Sequence, residues 1–316
     1  MSILTSIVLS NAFHFLALFP LYSLTRRLIP LTPSLAAITC ILHAFSPAGP
    51  FLLSGTTESL FNFLSFSGMA LFHQGQRFVP ALIWSLAGTV RSNAILWLGF
   101  FAWDALNTLI QLKERGTFRS AGRIIYLGFC ALISLAGFAW WQYTAWQQYC
   151  TNETPEAWCS NTLPLIYSHV QSKYWYYLTH ENITYNRDVG FLHYWSTSQL
   201  PNFLLASPHL ILSLVILSNH LHTRHSYLSL LSNPLTPHVL ALAGMSFLLF
   251  TSMHVQIATR VLTAFPALYW YLAGKIYEDI TGVWVERTRF WEEGVRAMVV
   301  FGCVGTVLYS AFLPPA

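Results

Sequence analysis

Long apolar stretches separated by short polar turns recur along all 316 residues of the chain. A membrane-spanning helix needs about 20 mainly apolar residues, fewer where the segment is short or re-entrant. Backbone polar groups in hydrocarbon must be paired within the segment, so we expect helices. The pattern predicts an all-α polytopic membrane protein, with residues 1–316 forming a single multi-span domain. The ten predicted spans are 3–22, 35–53, 57–73, 78–90, 92–110, 124–146, 203–218, 238–255, 261–277 and 296–313. One long tilted helix over 78–110 is an alternative.

The basic residues are distributed unevenly between the turns. Charged residues make up only 9% of the chain, against about 25% in soluble domains. Under the ten-span model, twelve of the sixteen Lys and Arg fall on one face, which the excess of basic residues marks as cytosolic. This asymmetry accounts for the net charge of +4 without a nucleic-acid partner. The four basic residues on the opposite face are Arg91, Lys173, Arg187 and Arg260.

The largest loop, residues 147–202, carries the signs of an oxidising compartment. Cys150 and Cys159 flank a polar segment, and we predict a disulfide between them because such pairs persist in oxidising compartments. Asn152 and Asn182 each begin an N-glycosylation triplet. Together with the charge asymmetry, these features place the loop in the lumen of the endoplasmic reticulum.

The segment SPAGPFLLSGTTES, residues 46–59, contains helix-breaking prolines and glycines and ends beside Glu58. Irregular backbone at membrane depth is tolerated where it is buried in protein or lines a wet cavity. Two interpretations of Glu58 stay open. It is either a carboxylate stabilised by a helix N-terminus, or a group that orients a sugar or a cation in a luminal cavity.

Two arginines interrupt apolar sequence on the predicted luminal side. An arginine in a span costs roughly 2.5–3.5 kcal/mol unless it snorkels or meets an anion. Arg91 and Arg260 lie at the ends of separate spans, and together they would suit a phosphate, which guanidinium groups bind in bidentate fashion. Snorkelling at the membrane interface is the alternative for both.

The sequence lacks several familiar chemical signatures. It shows no phosphate-binding glycine loop, zinc spacing, nucleophile elbow or dinucleotide fingerprint, and we predict no cofactor and no metal. The aromatic residues of the large loop would suit a sugar, but tyrosine and tryptophan also form belts at the membrane interface.

Several strings, in order along nearly the whole chain, resemble the GPI mannosyltransferase 2 (PIG-V) family. They are FPLYSL (19–24), FSPAGPFLLSGTTESLFNFLSFSGM (45–69), TVRSNAILWLGF (89–100), PLIYSHVQSKYW (164–175), VGFLHYWSTSQLPNFLLASP (189–208) and HVQIATRVLTAFPALYWYLA (254–273).

The resemblance implies a multi-pass enzyme of the endoplasmic reticulum membrane with a GT-C-like helical bundle. Such an enzyme transfers the second mannose, in α1,6 linkage, from dolichyl-phosphate mannose to the GPI precursor, and a small membrane partner subunit is expected. A luminal carboxylate serves as general base while cations stabilise the departing phosphate. Matching positions assign substrate binding to Arg91, Asn93, His169, Gln171, Tyr174 and Arg260.

The family also has a luminal segment with a Trp-Asp pair before the stretch similar to FPLYSL, and that Asp is the expected base. Phe19 lies close to Met1 here, so we expect the chain as written to be catalytically deficient, with the base unknown and Glu58 a weak candidate. The alternatives are another dolichol-dependent mannosyltransferase, a non-catalytic membrane subunit or a transporter. Transporters usually place polar groups near the midplane, whereas here they gather at one face.

Overall fold

A computed structural model describes residues 2–30, 32–111, 116–152, 155–174, 191–192, 194–223, 226–282 and 290–310. Within these ranges the chain is helical and contains no strand, which confirms the all-α prediction. Each of the ten predicted spans corresponds to at least one helix. The helices are α1 (Ile3–Leu28), α2 (Pro33–Ala44), α3 (Gly49–Leu53), α4 (Glu58–His73), α5 (Phe78–Val90), α6 (Leu98–Ile110), α7 (Thr117–Cys150), α8 (Ile166–Tyr174), α9 (Leu200–His222), α10 (Tyr227–Ser232), α11 (Thr236–Thr251), α12 (Ala258–Val261), α13 (Pro266–Thr281) and α14 (Phe290–Ser310).

Helix length and apolarity make this a multi-pass membrane protein. Within the described residues, four helical segments have both the length and the hydropathy to cross a membrane: Ile3–Leu28, Ser92–Ile110, Thr117–Cys150 and Thr197–His222. Further apolar helices, α2, α5, α11 and part of α14, are shorter. Short helices still pair their backbone groups internally, so they are compatible with the bilayer where neighbouring helices cover them.

The structure corrects two predicted boundaries and confirms the predicted break within 78–110. The predicted span 35–53 is broken: α2 ends at Ala44, and the chain turns before the short α3, because Pro47 and Pro50 lack the N–H groups that a continuous helix needs. Between α5 and α6, Arg91 has extended backbone (φ −150°, ψ 137°) and a 3₁₀ turn follows. The stretch 78–110 therefore forms two helices. At 261–277, the long helix begins only at Pro266, which favours a first helical position.

Close packing at small residues fixes α5 between two neighbours. A Cβ on Gly68 of α4 would lie 2.2 Å from Nε1 of Trp84, and one on Gly137 of α7 would lie 1.8 Å from the carbonyl oxygen of Ser85. Small residues at such contacts let membrane helices approach closely. Buried aromatic side chains, among them Trp84 and Trp97, fill the space between α4, α5 and α6. The middle of α5 is therefore held between α4 and α7.

Helices α5 and α7 run in the same direction. At the start of α5, Arg77 shares an aspartate with Arg123 of α7, and near its end Gly88 lies beside Phe138. Helix α7 then continues past that contact to Cys150. The large loop therefore begins on the side of the bundle where Arg91 lies.

Candidate functional site

Glu58 is the first residue of α4 and is 2% exposed. The partial positive charge at a helix N-terminus favours a carboxylate in this position. Gly55 makes the preceding turn with a φ of +89°, a value that L side chains rarely adopt, and a Cβ there would lie 2.8 Å from Oγ of Ser6. The glycine-containing turn thus lets α4 begin against α1 and places its first carboxylate inside the protein.

Arg91 reaches Glu58 from the end of α5. Its backbone N–H still donates to the carbonyl oxygen of Ala87 at 2.9 Å, so it closes the helix. Beyond it the chain leaves the helical direction in extended conformation. Nη1 of Arg91 lies 2.8 Å from Oε1 of Glu58, and the arginine side chain is 20% exposed.

Arg260 reaches the same oxygen from 202 residues further along the chain. It lies in the four-residue helix α12, and its Nε and Nη2 donate to Oε1 of Glu58 at 2.9 and 2.5 Å. Its guanidinium carbon also lies 4.3 Å from the ring centroid of Phe51. A cation over an aromatic face is favourable, more so when water is excluded. The Arg260 side chain is 32% exposed.

These three residues, Glu58, Arg91 and Arg260, form what we call the Glu58 cluster. Two cations share one anion, so the cluster carries a net charge of +1. Both guanidinium groups converge on a single carboxylate oxygen and are more exposed than the carboxylate behind them. The cluster therefore presents cationic hydrogen-bond donors outward, which is suitable for binding an anion.

Sequence analysis left two interpretations of Glu58 open, a carboxylate at a helix N-terminus and a group that orients a sugar or a cation, and the structure shows features of both. Glu58 is a helix N-terminal carboxylate, and it orients cations. As a general base Glu58 is poorly placed, because a proton on either of its oxygens would neutralise the shared anion of two ion pairs in a buried setting. The assignment of Arg91 and Arg260 to a phosphate remains a prediction, and their proximity is compatible with it.

A buried hydrogen-bond network supports the turn that carries Arg260. Oγ1 of Thr263 donates to the carbonyl oxygen of Arg260 at 2.7 Å, and Nδ2 of Asn62 donates to Oγ1 of Thr263 at 3.1 Å. The hydroxyl of Tyr269 donates to the carbonyl oxygen of Thr263 at 3.3 Å. Sequence analysis missed Asn62 and Thr263. A polar side chain within an apolar span was the available signal, since such groups are expected to find partners inside the protein.

A cavity of about 340 Å³ lies beside this turn. Thr259 and Thr263, which flank Arg260, form part of its wall. Other lining residues come mainly from α9 and α13 and are largely apolar, including Leu205, Leu212 and Leu268. A second, apolar cavity of about 920 Å³ lies on the α11 side of α9. The first cavity has the chemistry of an alkyl-chain site next to a cationic cluster.

The other predicted substrate-binding residues lie in two places. Asn93 is partly buried in the 3₁₀ turn that follows Arg91. His169, in α8, has its ring 5.8 Å from that of Trp158. Gln171 and Tyr174 lie in the last turns of α8, and their side chains fall outside the described residues. Contact of these four residues with a sugar remains a prediction.

The loop after α7 contains the predicted cysteine pair. Cys150 and Cys159 form a disulfide with their Cα atoms 5.5 Å apart. Asn152 is exposed, as a glycan acceptor must be, and Asn182 lies outside the described residues. Modification of either asparagine remains a prediction.

A second arginine–carboxylate group, the Asp104 cluster, lies at the other end of α5. Asp104 of α6 accepts from Nε of Arg77 at 2.6 Å and from Nη2 of Arg123 at 2.9 and 3.2 Å. Arg77 and Arg91 flank α5 at its opposite ends. The two clusters thus occupy the faces that the charge pattern predicts as cytosolic and luminal.

Comparison with known proteins identifies the family. The model of the family described as "Mannosyltransferase (PIG-V)" matches residues 1–230 and 214–316. GPI mannosyltransferase 2 of Schizosaccharomyces pombe is 35% identical over 309 residues, covering 96% of this chain. The Yarrowia lipolytica protein of the same name is 32% identical over 99% of this chain. GPI alpha-1,6-mannosyltransferase 2 of Mus musculus is 31% identical over 86% of it. No solved structure gives a significant match.

The matches extend along nearly the entire chain, which in turn spans 61%, 75% and 62% of the length of these three relatives. The resemblance of the sequence motifs to the PIG-V family is thereby confirmed. This multi-pass membrane protein belongs to the PIG-V family of mannosyltransferases.

Proposed function

We propose that the protein transfers a mannose in α1,6 linkage from dolichyl-phosphate mannose to a GPI precursor, in the lumen of the endoplasmic reticulum. Family membership and the printed names of the relatives support the transfer and the acceptor class. The Glu58 cluster is the structural observation that carries the proposal, because it brings two partly exposed arginines to one place.

The arginines act on the leaving group. In a single displacement, the acceptor hydroxyl oxygen bonds to the anomeric carbon while the bond from that carbon to the phosphate oxygen breaks. The bonding electrons and a second negative charge pass to the departing lipid phosphate. Preorganised cations stabilise charge that develops in a transition state. Arg91 and Arg260 would supply this stabilisation, and the hydroxyl proton passes to a base that we do not identify with Glu58.

The cavity beside Arg260 would hold the lipid chain of the donor. Its lining is largely apolar, and Thr259 and Thr263 connect it to the cationic cluster. Burial of hydrocarbon is worth roughly 0.8 kcal/mol per CH₂ group. A lipid donor would therefore be bound through its chain and oriented through its phosphate, with no cofactor.

Two observations indicate which side of the membrane the Glu58 cluster faces: the distribution of basic residues and the position of the loop that follows α7. Arg91 and Arg260 belong to the basic-poor face, and α7 delivers the Cys150–Cys159 disulfide to the same side. Disulfides persist in oxidising compartments, which favours the lumen of the endoplasmic reticulum for this face. A small membrane partner subunit remains part of the proposal.

The test is complementation of Schizosaccharomyces pombe cells depleted of their GPI mannosyltransferase 2. Expression of a chimera, in which this chain replaces the matching part of the Schizosaccharomyces pombe protein, should convert the accumulated one-mannose GPI precursor into the two-mannose form, measured by labelling lipid precursors with radioactive mannose. Arg260→Ala should abolish the conversion. Stable expression of the chimera in the membrane with no two-mannose product would overturn the proposal.

A further inference from the structure

The Glu58 cluster pairs two cations with one buried anion, although two arginines alone would bind a phosphate more strongly. We infer that Glu58 sets the charge of the donor site at +1, and so weakens retention of a doubly charged phosphomonoester product more than binding of a singly charged phosphodiester donor. Glu58 is then a positioning and charge-setting residue, and its place in catalysis rests on the proposed function above.

The geometry separates the carboxylate from any ligand. Glu58 is 2% exposed, whereas the side chains of Arg91 and Arg260 are 20% and 32% exposed. An arriving phosphate would meet the guanidinium groups and leave Glu58 behind them. The carboxylate thus acts on the ligand through its field and through the positions of the arginines.

Charge balance distinguishes substrate from product. A lipid phosphate esterified to a sugar has one ionisable oxygen and a charge of −1, which the +1 cluster neutralises. Transfer breaks the sugar–phosphate bond and leaves a lipid phosphomonoester with a charge that approaches −2 above its second pKa, which is about 6. Two arginines alone would hold this dianion most strongly, and the negative charge of Glu58 lowers that attraction more than it lowers the attraction for the donor. Product release limits turnover in many enzymes. Weaker retention of the product, caused by the charge of Glu58, would therefore raise the turnover rate.

Neutralising Glu58 should change the two affinities unequally. Coulomb energy is proportional to the ligand charge, so removing one nearby negative charge stabilises a dianion about twice as much as a monoanion. The logarithm of the gain in affinity should then be about twice as large for lipid phosphate as for its methyl ester. That ratio is the signature of charge setting, because a general loss of packing would weaken both ligands alike.

The experiment uses the protein in nanodiscs at pH 8, with radiolabelled lipid phosphate and its monomethyl ester as matched dianionic and monoanionic probes. For Glu58→Gln we expect lipid phosphate to bind about tenfold more tightly and the methyl ester about threefold, following the twofold ratio of their charges. In the transfer reaction, inhibition by lipid phosphate should strengthen more than the donor KM falls. Asp104→Asn, which neutralises the carboxylate at the far end of α5, is the matched control and should leave both affinities unchanged.

Two further variants, Arg91→Gln and Glu58→Gln/Arg91→Gln, allow the inference to be tested if Glu58→Gln fails to fold. Arg91→Gln lowers the cluster charge to zero and should weaken lipid phosphate more than its ester. The double variant Glu58→Gln/Arg91→Gln restores +1 and should return the ratio of the two affinities to the wild-type value. Equal effects on both probes in the variants that fold would overturn the inference while leaving the mannosyltransferase proposal standing. No binding of either probe by the wild-type protein would count against the phosphate site itself.

Discussion

The two ends of α5 carry clusters of the same composition, one carboxylate and two arginines, that are built in different ways. In the Asp104 cluster the arginines use both carboxylate oxygens, and the partners are only 27 and 19 residues away in sequence. In the Glu58 cluster both arginines converge on Oε1, and Arg260 is 202 residues away. The carboxylates are 13% and 2% exposed, respectively. The same residue types therefore connect neighbouring segments of the chain in the Asp104 cluster and distant segments in the Glu58 cluster.

Arg77 and Arg91, at the two ends of α5, differ in how many of their donors the protein uses. Arg77 also donates through Nη1 to the carbonyl oxygens of Phe72 and Gln76, and its guanidinium carbon lies 3.9 Å from the Phe72 ring centroid. The protein itself thus occupies much of that guanidinium group. Arg91 meets Glu58 through Nη1, at a break between two helices and beside the turn bearing Arg260. This difference favours a bracing role for Arg77 and agrees with the phosphate role proposed for Arg91 and Arg260.

The largest expected effect is on transfer activity and separates the clusters most sharply. Arg260→Ala should lower the rate of mannose transfer by about 100-fold or more, the usual result of removing one preorganised donor to developing charge. The measurement is the initial rate in microsomes that contain the chimera with the Schizosaccharomyces pombe protein, with saturating acceptor and a lipid-linked mannose donor, normalised to folded protein.

Arg77→Ala is the matched control for this prediction, since it removes an arginine from a cluster of the same composition. It should reduce the yield of folded protein while leaving the rate per folded molecule within a few-fold of wild type, as expected when an ion pair only braces the scaffold. If Arg77→Ala and Arg260→Ala lowered the transfer rate to a similar extent, the proposal that only the Glu58 cluster acts in transfer would be wrong.

A smaller effect, on stability, should follow the burial of the two carboxylates. Glu58→Ala leaves two arginines without their shared anion and should cost about 3–5 kcal/mol in the free energy of unfolding. Asp104→Ala should cost about 1 kcal/mol, because Arg123 is 40% exposed and can turn to solvent. Denaturant titration of both proteins in the same detergent measures the difference. An equal cost, or a greater one for Asp104→Ala, would contradict the ranking.

The long apolar stretches predicted the helices well, because in lipid every span must pair its backbone polar groups internally. The prediction failed at residues 45–53, where prolines interrupt an apolar run, and at 261–265, where apolar residues form a turn before Pro266. Hydropathy measures the free energy of transferring a side chain to an apolar environment. It does not record whether the residue has a backbone N–H, which proline lacks. The proline positions carried the missing information.

The candidate site was predictable by residue type and not by arrangement. Glu58, Arg91 and Arg260 were each recognisable because a charge is costly at a span end. Their convergence on one oxygen depends on helix packing between distant segments, such as the close contacts at Gly68 and Gly137. Local sequence contains no direct measure of such contacts.

The smallest expected effect concerns which side of the membrane each cluster faces. Asn152 is exposed two residues after α7, on the side where the Glu58 cluster lies. If that side is luminal, the asparagine receives a glycan, and either Asn152→Gln or endoglycosidase treatment should increase gel mobility, with Asn182→Gln assayed in parallel. Transfer activity should change by no more than about twofold, as for most exposed substitutions. Absence of any glycan, together with protease cleavage of the loop from the cytosolic side, would instead assign the Asp104 cluster to the lumen and reverse the roles inferred from the charge pattern.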